Sequence, residues 1–366
     1  MASENSSPLL WILASRHCGD NTQLNALADA LGWPCEVKRL AYKPYEEILR
    51  LAGLPTLAGV DGAKSSPIAP PWPDIVLCAG RSTEAVAFWL RRNGNPKLRI
   101  VFVGTPWVPP SRFDLVITTP QYGLPQAPNI LHNTLPLHGV TPAKLEAEAK
   151  RWEERLAHLP KPRIAVLAGG SSGPYVFRPE AAARLGREAS RLASKLGGSL
   201  LVTTSARTSK AAAEALAAAF TVPFFLHRWK KTDKDNPFLA FLGQAERIIV
   251  TADSISMLSE ASASGKPVSL FDIDNGPFSM RAEERMGVPH AIPKIAWRGR
   301  DFETTAFRLL MRQAPTRWSR DLRIVHRQVV DVGLASWLGE QPKPRATRSE
   351  DSLARAVARI RQLFGL

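Results

Sequence analysis

The chain has 366 residues, of which 45% are hydrophobic and 22% charged, so it is long enough for two globular domains with separate cores. Its 48 lysine and arginine residues exceed its 33 acidic residues by 15, which favours polyanionic partners such as nucleic acid, anionic lipid or phosphorylated substrates. Its three cysteines form no CxxC pair and no metal-binding pattern, which indicates reduced thiols.

Strand and helix patterns alternate through the first part of the chain. The first apolar run, 9–14, is too short to span a membrane and predicts a strand. The other predicted strands here are 36–40, 74–79, 99–104 and 115–118, and the predicted helices are 22–31, 45–54 and 84–92. A proline-rich stretch, 120–142, has no clear period. This alternation predicts an α/β architecture with a parallel sheet.

A second series follows a charged helix predicted at 143–159. Its predicted strands are 163–168, 199–203, 222–226, 247–250 and 268–271, and its helices are 180–196, one ending near 219, 237–245, 255–263, 302–312, 322–338 and 352–364. We therefore predict four parts: a first Rossmann-like domain at 1–142, a linker helix at 143–162, a second Rossmann-like domain at 163–338, and a linker with a final helix at 339–366.

Small polar residues fill four loops that each follow a strand and precede a helix. These loops are 15–21, 80–83, 169–173 and 204–209. Ligands of open α/β sheets bind at the carboxyl ends of the strands, where such loops gather. The glycine-rich turn 169–173 is neither GxGxxG nor a P-loop, which argues against a dinucleotide dehydrogenase and a nucleoside triphosphatase.

The segment 251–271 combines a strand end, a helix start rich in small oxygen-bearing side chains, a glycine stop and a second strand. A helix start in this position attracts phosphate through its free N–H groups and dipole. Arg207, at another helix start, can hold a phosphate bidentately, and Glu260 can reach a pair of ribose hydroxyls. The alternatives are a solvated surface arginine and an ordinary capped βαβ unit.

Five sequence runs resemble, in order, the mitochondrial-fission, elongated-mitochondria family. They are GRSTEA at 80–85, GGSSGPYVF at 169–177, TTSARTS at 203–209, NPFLAFLGQA at 236–245 and TADSISMLSEASASGKPV at 251–268. Bacterial members of the family are commonly regarded as glycosyltransferases. The resemblance therefore implies the GT-B architecture: two Rossmann-like domains facing a cleft, nucleotide sugar on the second, acceptor on the first, and a final helix that crosses back to the first. Plant relatives are linked to recruiting a fission GTPase.

The same resemblance implies roles for individual residues. It places Glu260 at the ribose hydroxyls of the donor. The residues that it places at the diphosphate are Gly170, Ser171, Ser172, Ser254 and Ser256. The donor would be a nucleotide diphosphate sugar, and no further cofactor is expected.

A transferase also needs a base for the acceptor hydroxyl. Asp20 is the first candidate and His17 the second, although Asp20 can equally cap a helix beginning at Thr22. Asp272 and Asp274, the nearest approach to a metal-binding pair, are better interpreted as turn residues. Helix starts and Arg207 can stabilise the leaving charge, so we expect metal-independent activity.

Basic residues beside aromatic and leucine side chains in the first domain suit an anionic membrane surface. The contributing residues are Trp33, Lys38, Arg39, Tyr42, Lys43, Tyr45, Leu49, Arg50, Leu54, Trp89, Arg91, Arg92, Lys97 and Arg99. We expect a cytoplasmic protein, peripheral on the inner face of the membrane, with Arg39, Lys43 and Arg50 among the contacts. No nucleic-acid recognition signature is present, and no nucleic-acid partner is expected.

Three functions fit these observations. The first is a glycosyltransferase that acts on a cell-envelope glycolipid or glycan. The second is a nucleotide-sugar epimerase of the same two-domain fold, and the third is a non-catalytic, membrane-associated adaptor related to mitochondrial fission proteins.

Overall fold

A computed structural model describes residues 7–51, 53–173, 175–233, 235–274, 279–281, 320–345 and 351–366. The chain forms two compact units. The first unit comprises residues 1–139 and 350–366, and the second unit comprises residues 140–349.

The first unit is built on a parallel six-stranded sheet. Its strands are β1 (Leu10–Leu13), β2 (Cys35–Lys38), β3 (Ile75–Ala79), β4 (Arg99–Val103), β5 (Leu115–Thr118) and β6 (Ile130–His132). Its helices before the crossover are α1 (Cys18–Leu31), α2 (Glu46–Leu51) and α3 (Glu84–Asn93). The strand order is β2-β1-β3-β4-β5-β6. The central strands are apolar throughout because helices cover both faces of such a sheet.

The second unit is built on another parallel six-stranded sheet. Its strands are β7 (Arg163–Leu167), β8 (Ser199–Thr203), β9 (Phe224–His227), β10 (Arg247–Thr251), β11 (Val268–Phe271) and β12 (Ser336–Trp337). Its helices are α4 (Pro142–Arg151), α5 (Glu153–Leu156), α6 (Pro179–Lys195), α7 (Lys210–Ala218), α8 (Phe238–Gln244), α9 (Ile255–Ala263) and α10 (Leu322–Asp331). The order β9-β8-β7-β10-β11-β12 is the 3-2-1-4-5-6 order of the Rossmann fold. The predicted α/β architecture with two Rossmann-like sheets is confirmed.

A last helix, α11 (Ser352–Gln362), returns to the first unit. Ala356 and Ile360 are fully buried in the core formed with α1 and one face of the first sheet. Trp33 and Phe364 meet edge to face, with ring centroids 5.3 Å apart. The apolar stripe of α11 therefore completes the core of the first unit. The resemblance implies this position for the final helix.

Several element boundaries differ from those predicted. The helix predicted at 143–159 is interrupted at Trp152. Strand β6 lies in the proline-rich stretch 120–142 and was not predicted, because three residues are too few to show a strand period. The helix predicted at 322–338 ends at Asp331, since Gly333 adopts a positive φ of 69°, and β12 follows it. The helix predicted at 302–312 lies outside the described residues.

Candidate functional site

The second sheet reverses its winding direction between β7 and β10, which are hydrogen-bonded neighbours. In open α/β sheets, ligands bind beyond the carboxyl ends of the strands at this switch point. The loop after β7 is the glycine-rich turn, and the residues after β10 lead directly into α9. The sequence therefore places two polar loops at the position where this topology binds ligands.

The glycine-rich turn is held against the end of β10. The amide of Gly169 donates to Thr251 Oγ1 at 2.7 Å, and the amide of Gly170 donates to Asp253 Oδ2 at 3.0 Å. A Cβ atom on Gly170 would lie 2.1 Å from the carbonyl oxygen of Arg207, so this close approach of two backbones requires glycine.

Arg207 crosses the glycine-rich turn and reaches Asp253. Its Nη2 lies 2.9 Å from Asp253 Oδ2, and its Nη1 donates to the carbonyl oxygens of Gly170 and Ser171, each at 3.3 Å. Asp253 is only 1% exposed, and its Oδ1 has no hydrogen-bond partner among the described residues. Arg207 is therefore an organised part of the site, and Asp253 is a site residue that the sequence interpretation treated only as part of a helix start.

Helix α9 begins with backbone amides that its own residues do not cap. Ser254 occupies the N-cap position, but its side chain makes no capping hydrogen bond. Within the described residues, the amides of Ile255, Ser256 and Met257 have no hydrogen-bond acceptor. Three free N–H groups at the positive end of a nine-residue helix have the chemistry that suits an anion.

Glu260 lies further along α9 and is partly buried. Its carboxylate has no hydrogen bond or ion pair among the described residues. Burial without a partner raises its pKa to about 7. The group therefore titrates near neutral pH and retains its full capacity to accept hydrogen bonds from a ligand.

The other two predicted diphosphate residues are bound to their own loop. Ser171 is exposed, and its Oγ accepts from the amide of Phe177 at 3.1 Å. Ser172 pairs through its backbone with Tyr175, with an N–O distance of 2.8 Å. These bonds order the loop beyond the glycine-rich turn and leave the side chain of Ser172 without a described contact.

The two candidate bases lie at the switch point of the first sheet, between β1 and β3. Asp20 Oδ2 accepts from Ser15 Oγ at 2.7 Å, and a Cβ on Gly80, whose φ is 79°, would lie 2.8 Å from that Oγ. Because α1 begins at Cys18, four residues before the predicted start, Asp20 lies in its first turn. His17 is the exposed N-cap residue and makes no side-chain capping bond.

A buried acid at the same switch point escaped the sequence interpretation. Glu46 is 6% exposed, and its Oε2 accepts from Arg16 and from Ser82 Oγ, each at 3.3 Å. The guanidinium of Arg16 lies 4.7 Å from the ring centroid of Tyr42.

Much of the predicted basic and aromatic surface is used inside the first unit. Lys38 is buried, with Nζ 3.9 Å from the ring centroid of Trp11, and Arg91 and Arg99 both pair with Asp114. Trp33 packs on Phe364, and Trp89 on Trp72 at a centroid distance of 6.3 Å. Lys38 is buried and therefore cannot contact a membrane, whereas membrane roles for Arg91, Arg99, Trp33 and Trp89, which make ion pairs and ring contacts, stay predictions.

Several exposed residues of the predicted surface lie around α2, while Arg92, Lys97 and Arg99 are exposed between the end of α3 and the start of β4. Tyr45, Ile48 and Leu54 are 46%, 71% and 60% exposed, and Lys43 Nζ lies 5.7 Å from the ring centroid of Tyr45. Arg39 is exposed as well, whereas the side chain of Arg50 lies outside the described residues. No helix among the described residues is both long and apolar enough to cross a membrane.

The carboxylate of Asp272 is engaged by its own chain. It accepts from Ser279 Oγ at 2.7 Å and from the amides of Asp274, Met280 and Arg281 at 3.1–3.2 Å. Over the described ranges, no group of three or more His, Cys, Asp or Glu side chains is placed to hold a metal ion. Asp272 therefore organises a turn in this structure.

A family model described as Mitochondrial fission ELM1 matches residues 18–286, which contain the β7–β10 switch point of the second sheet. The chain belongs to this family. Two relatives are each 26% identical: the Mitochondrial fission protein ELM1 of Arabidopsis thaliana over 227 residues, and Uncharacterized protein RP120 of Rickettsia prowazekii (strain Madrid E) over 231 residues. These matches cover 56% and 54% of the chain, and only 52% and 64% of the two relatives.

Solved structures with a similar fold include an epimerase and a glycosyltransferase. A UDP-GlcNAc 2-epimerase from Neisseria meningitidis, bound to UDP-GlcNAc, has a TM-score of 0.47 at 11% identity, covering 98% of this chain and all of its own. A glycosyltransferase from Rickettsia africae ESF-5 has a TM-score of 0.47 at 9% identity, covering 99% of both chains. Because both TM-scores are below 0.5, these similarities do not distinguish an epimerase from a glycosyltransferase.

Proposed function

We propose that this ELM1-family protein is a glycosyltransferase that binds a nucleotide diphosphate sugar on its second unit and passes the sugar to a glycolipid or glycan acceptor. One observation carries the proposal. The 3-2-1-4-5-6 sheet brings a glycine-rich turn, Arg207 and the uncapped start of α9 to its switch point. This combination suits a diphosphate, because free amides and a guanidinium supply donors at the position where this topology binds ligands.

Asp253 limits how the diphosphate can be held. A buried carboxylate beside the glycine-rich turn would repel a phosphate unless its charge were offset, and Arg207 supplies that offset through its ion pair with Asp253. The amides of Ile255, Ser256 and Met257 then provide the direct anion contacts. The partly buried Glu260, which has no partner among the described residues, is suited to accept both ribose hydroxyls when ionised.

The transfer step is a displacement at the anomeric carbon of the sugar. The acceptor oxygen forms the new C–O bond, the bond to the diphosphate breaks, and the acceptor proton passes to a base on the first unit. Asp20 remains the first candidate for that base and His17 the second. Charge on the departing diphosphate would be stabilised by the α9 amides and Arg207, and these fixed donors can act without a metal ion.

A thermal-shift screen of UDP- and GDP-sugars tests donor binding. We expect stabilisation of the native protein by at least one donor and loss of most of that stabilisation in Glu260→Ala, which should remain folded. Unchanged shifts in Glu260→Ala would remove Glu260 from the donor site. A complete absence of nucleotide-sugar binding would contradict the proposal and favour a non-catalytic adaptor.

Product analysis then separates the two enzymatic alternatives. A transferase yields a glycosylated acceptor and free nucleotide diphosphate, whereas an epimerase yields an isomer of the intact donor. We expect turnover to continue in excess EDTA. A strict requirement for Mn²⁺ or Mg²⁺ would show that the amides and Arg207 are insufficient.

A further inference from the structure

Four polar side chains lie at the carboxyl ends of three neighbouring strands in the first unit, away from its β1–β3 switch point. Thr105 follows β4, Thr119 and Gln121 follow β5, and Asn133 follows β6. The strand ends are adjacent, since the amide of Gly104 donates to the carbonyl of Ile117 at 2.8 Å and that of Asn133 to the carbonyl of Thr118 at 2.9 Å.

These side chains carry five buried polar atoms without a hydrogen-bond partner among the described residues: Thr105 Oγ1, Thr119 Oγ1, Gln121 Oε1, and both Oδ1 and Nδ2 of Asn133. Thr119, Gln121 and Asn133 are 6%, 5% and 1% exposed. Buried polar groups in native proteins are almost always paired with protein, water or ligand. Five unpaired polar atoms at one edge of one sheet therefore suggest that they share a hydrogen-bonding partner.

Strand alternation places two of these residues on the same face. Val103, Ile117 and Leu131 lie in one core cluster, so residues two positions further along extended strands continue that face. Thr119, whose φ and ψ are −121° and 155°, continues it beyond Ile117, and Asn133 does so beyond Leu131. Thr118 is also buried with an unpaired hydroxyl, but alternation directs it to the opposite face.

The chemistry of the cluster defines its ligand. Threonine hydroxyls donate and accept, the Asn133 amide nitrogen donates, and the two amide oxygens accept, while none of the four side chains is charged. Arg355 donates to the carbonyl of His132, the residue before Asn133, at 3.5 Å. A mixed, neutral set of donors and acceptors matches the hydroxyl and acetamido groups of a carbohydrate better than a phosphate.

We propose that Thr105, Thr119, Gln121 and Asn133 bind an uncharged carbohydrate at the carboxyl ends of β4, β5 and β6. Its role as the acceptor of the transfer reaction rests on the proposed function, whereas binding itself does not. The site is distinct from the loop that carries Asp20, so it positions the acceptor sugar and supplies no base.

Saturation-transfer NMR on the full chain without nucleotide tests this assignment. The probes are the methyl β-glycosides of glucose, galactose and N-acetylglucosamine, with glucose 1-phosphate as a charged comparison. We expect at least one methyl glycoside to bind the native protein. Thr119→Val should weaken that binding about tenfold, equivalent to about 1.4 kcal/mol. Asn133→Leu should weaken it at least as much.

Thr118→Val is the matched control, because it removes an equally buried, unpaired hydroxyl from the neighbouring residue on the other face. It should leave binding unchanged. All three variants should keep the native melting temperature, since replacing an unpaired buried polar group by an apolar one is nearly neutral. If Asn133→Leu fails to fold, the comparison of glycoside binding by Thr119→Val and Thr118→Val still tests the assignment.

Three results would overturn the assignment: no signal from any methyl glycoside, equal loss in Thr118→Val and Thr119→Val, or binding only of glucose 1-phosphate. The five unpaired atoms would then be hydrogen-bonded to ordered water alone. The nucleotide-sugar thermal shift on the same preparation separates the two proposals. A donor shift without glycoside binding removes only this site, and glycoside binding without a donor shift removes only the transferase.

Discussion

The Nη2 of Arg207 lies 2.9 Å from the buried Oδ2 of Asp253, and the other carboxylate oxygen has no hydrogen-bond partner among the described residues. The pair joins the loops that follow β8 and β10 and fixes the glycine-rich turn between them. Removing one partner of a buried pair leaves the other charge uncompensated, which is the costly case. The pair is thus the central electrostatic feature of the candidate site.

Arg207→Met should lower the free energy of unfolding by about 2 kcal/mol, because the buried carboxylate of Asp253 would keep, among the described residues, only the amide of Gly170 as a hydrogen-bond donor. Adding Asp253→Asn should restore most of the loss, since a neutral amide needs no counter-charge. Urea unfolding of the two single variants and the double variant measures this. Additive losses in the double variant would show that the two side chains stabilise the fold independently.

Glu260→Gln should stabilise the protein at alkaline pH. The pKa of Glu260 is raised to about 7 in the folded state from 4.5, so the unfolded state binds fewer protons between these values and stability falls as pH rises through them. Ionisation then costs up to about 3 kcal/mol at pH 8. Urea unfolding should show a clear gain in Glu260→Gln at pH 8 and little difference at pH 4. Equal stability at pH 8 would mean that the carboxylate is solvated.

His326 contributes a pH dependence of opposite sign. It is 1% exposed, its Nε2 lies 2.7 Å from the carbonyl oxygen of Ala252, and burial lowers its pKa to about 4 from 6.5. Its stabilising contribution is complete above pH 6.5 and is lost as pH falls through that window, by up to about 3 kcal/mol. His326→Gln keeps a donor for the carbonyl of Ala252. In urea unfolding, this variant should lose less stability than the native protein as pH falls below 6.5. An equal loss of stability at acidic pH in both proteins would show that other groups cause it.

The exposed apolar residues around α2 should bind membranes. Ile48→Asp with Leu54→Asp should reduce co-sedimentation with anionic vesicles about tenfold or more, because each buried aliphatic side chain contributes about 1.5–3 kcal/mol. Ile324→Asp on the second unit is the control, since that residue is also exposed, at 39%. Binding should fall in high salt, where the Debye length shrinks to about 3 Å. Equal binding to anionic and neutral vesicles, or no binding to either, would contradict a membrane role for the surface around α2.

Local patterns predicted the two sheets well, because strands buried on both faces form short apolar runs and the polar loops after them follow at once. They missed β6 and β12, which have three and two residues, too few to show a period. Patterns also located the glycine-rich turn and Glu260, since both belong to contiguous motifs. The ion pair of Arg207 with Asp253 joins loops far apart in the chain, so no local signal could reveal it.

The same limit applies to charge. Lys38 looked like a surface cation, yet its ammonium group lies 3.9 Å from the ring centroid of Trp11 and pairs with Glu36. Helix α2 likewise buries Glu46 and exposes Ile48, the reverse of what the polarity of the two side chains favours. Composition gave the net charge of the chain, whereas tertiary packing decides which charges remain at the surface.

Helix α11 comes after the entire second unit but packs into the first, with Ala356 and Ile360 fully buried beside α1. During synthesis, residues 1–139 therefore leave the ribosome with one face of their core uncovered, and that face stays open until the intervening residues 140–349 have been translated. The amino-terminal unit is the first to begin folding and the last to be completed. Its core face must be protected throughout that interval, either by the nascent chain itself or by a chaperone.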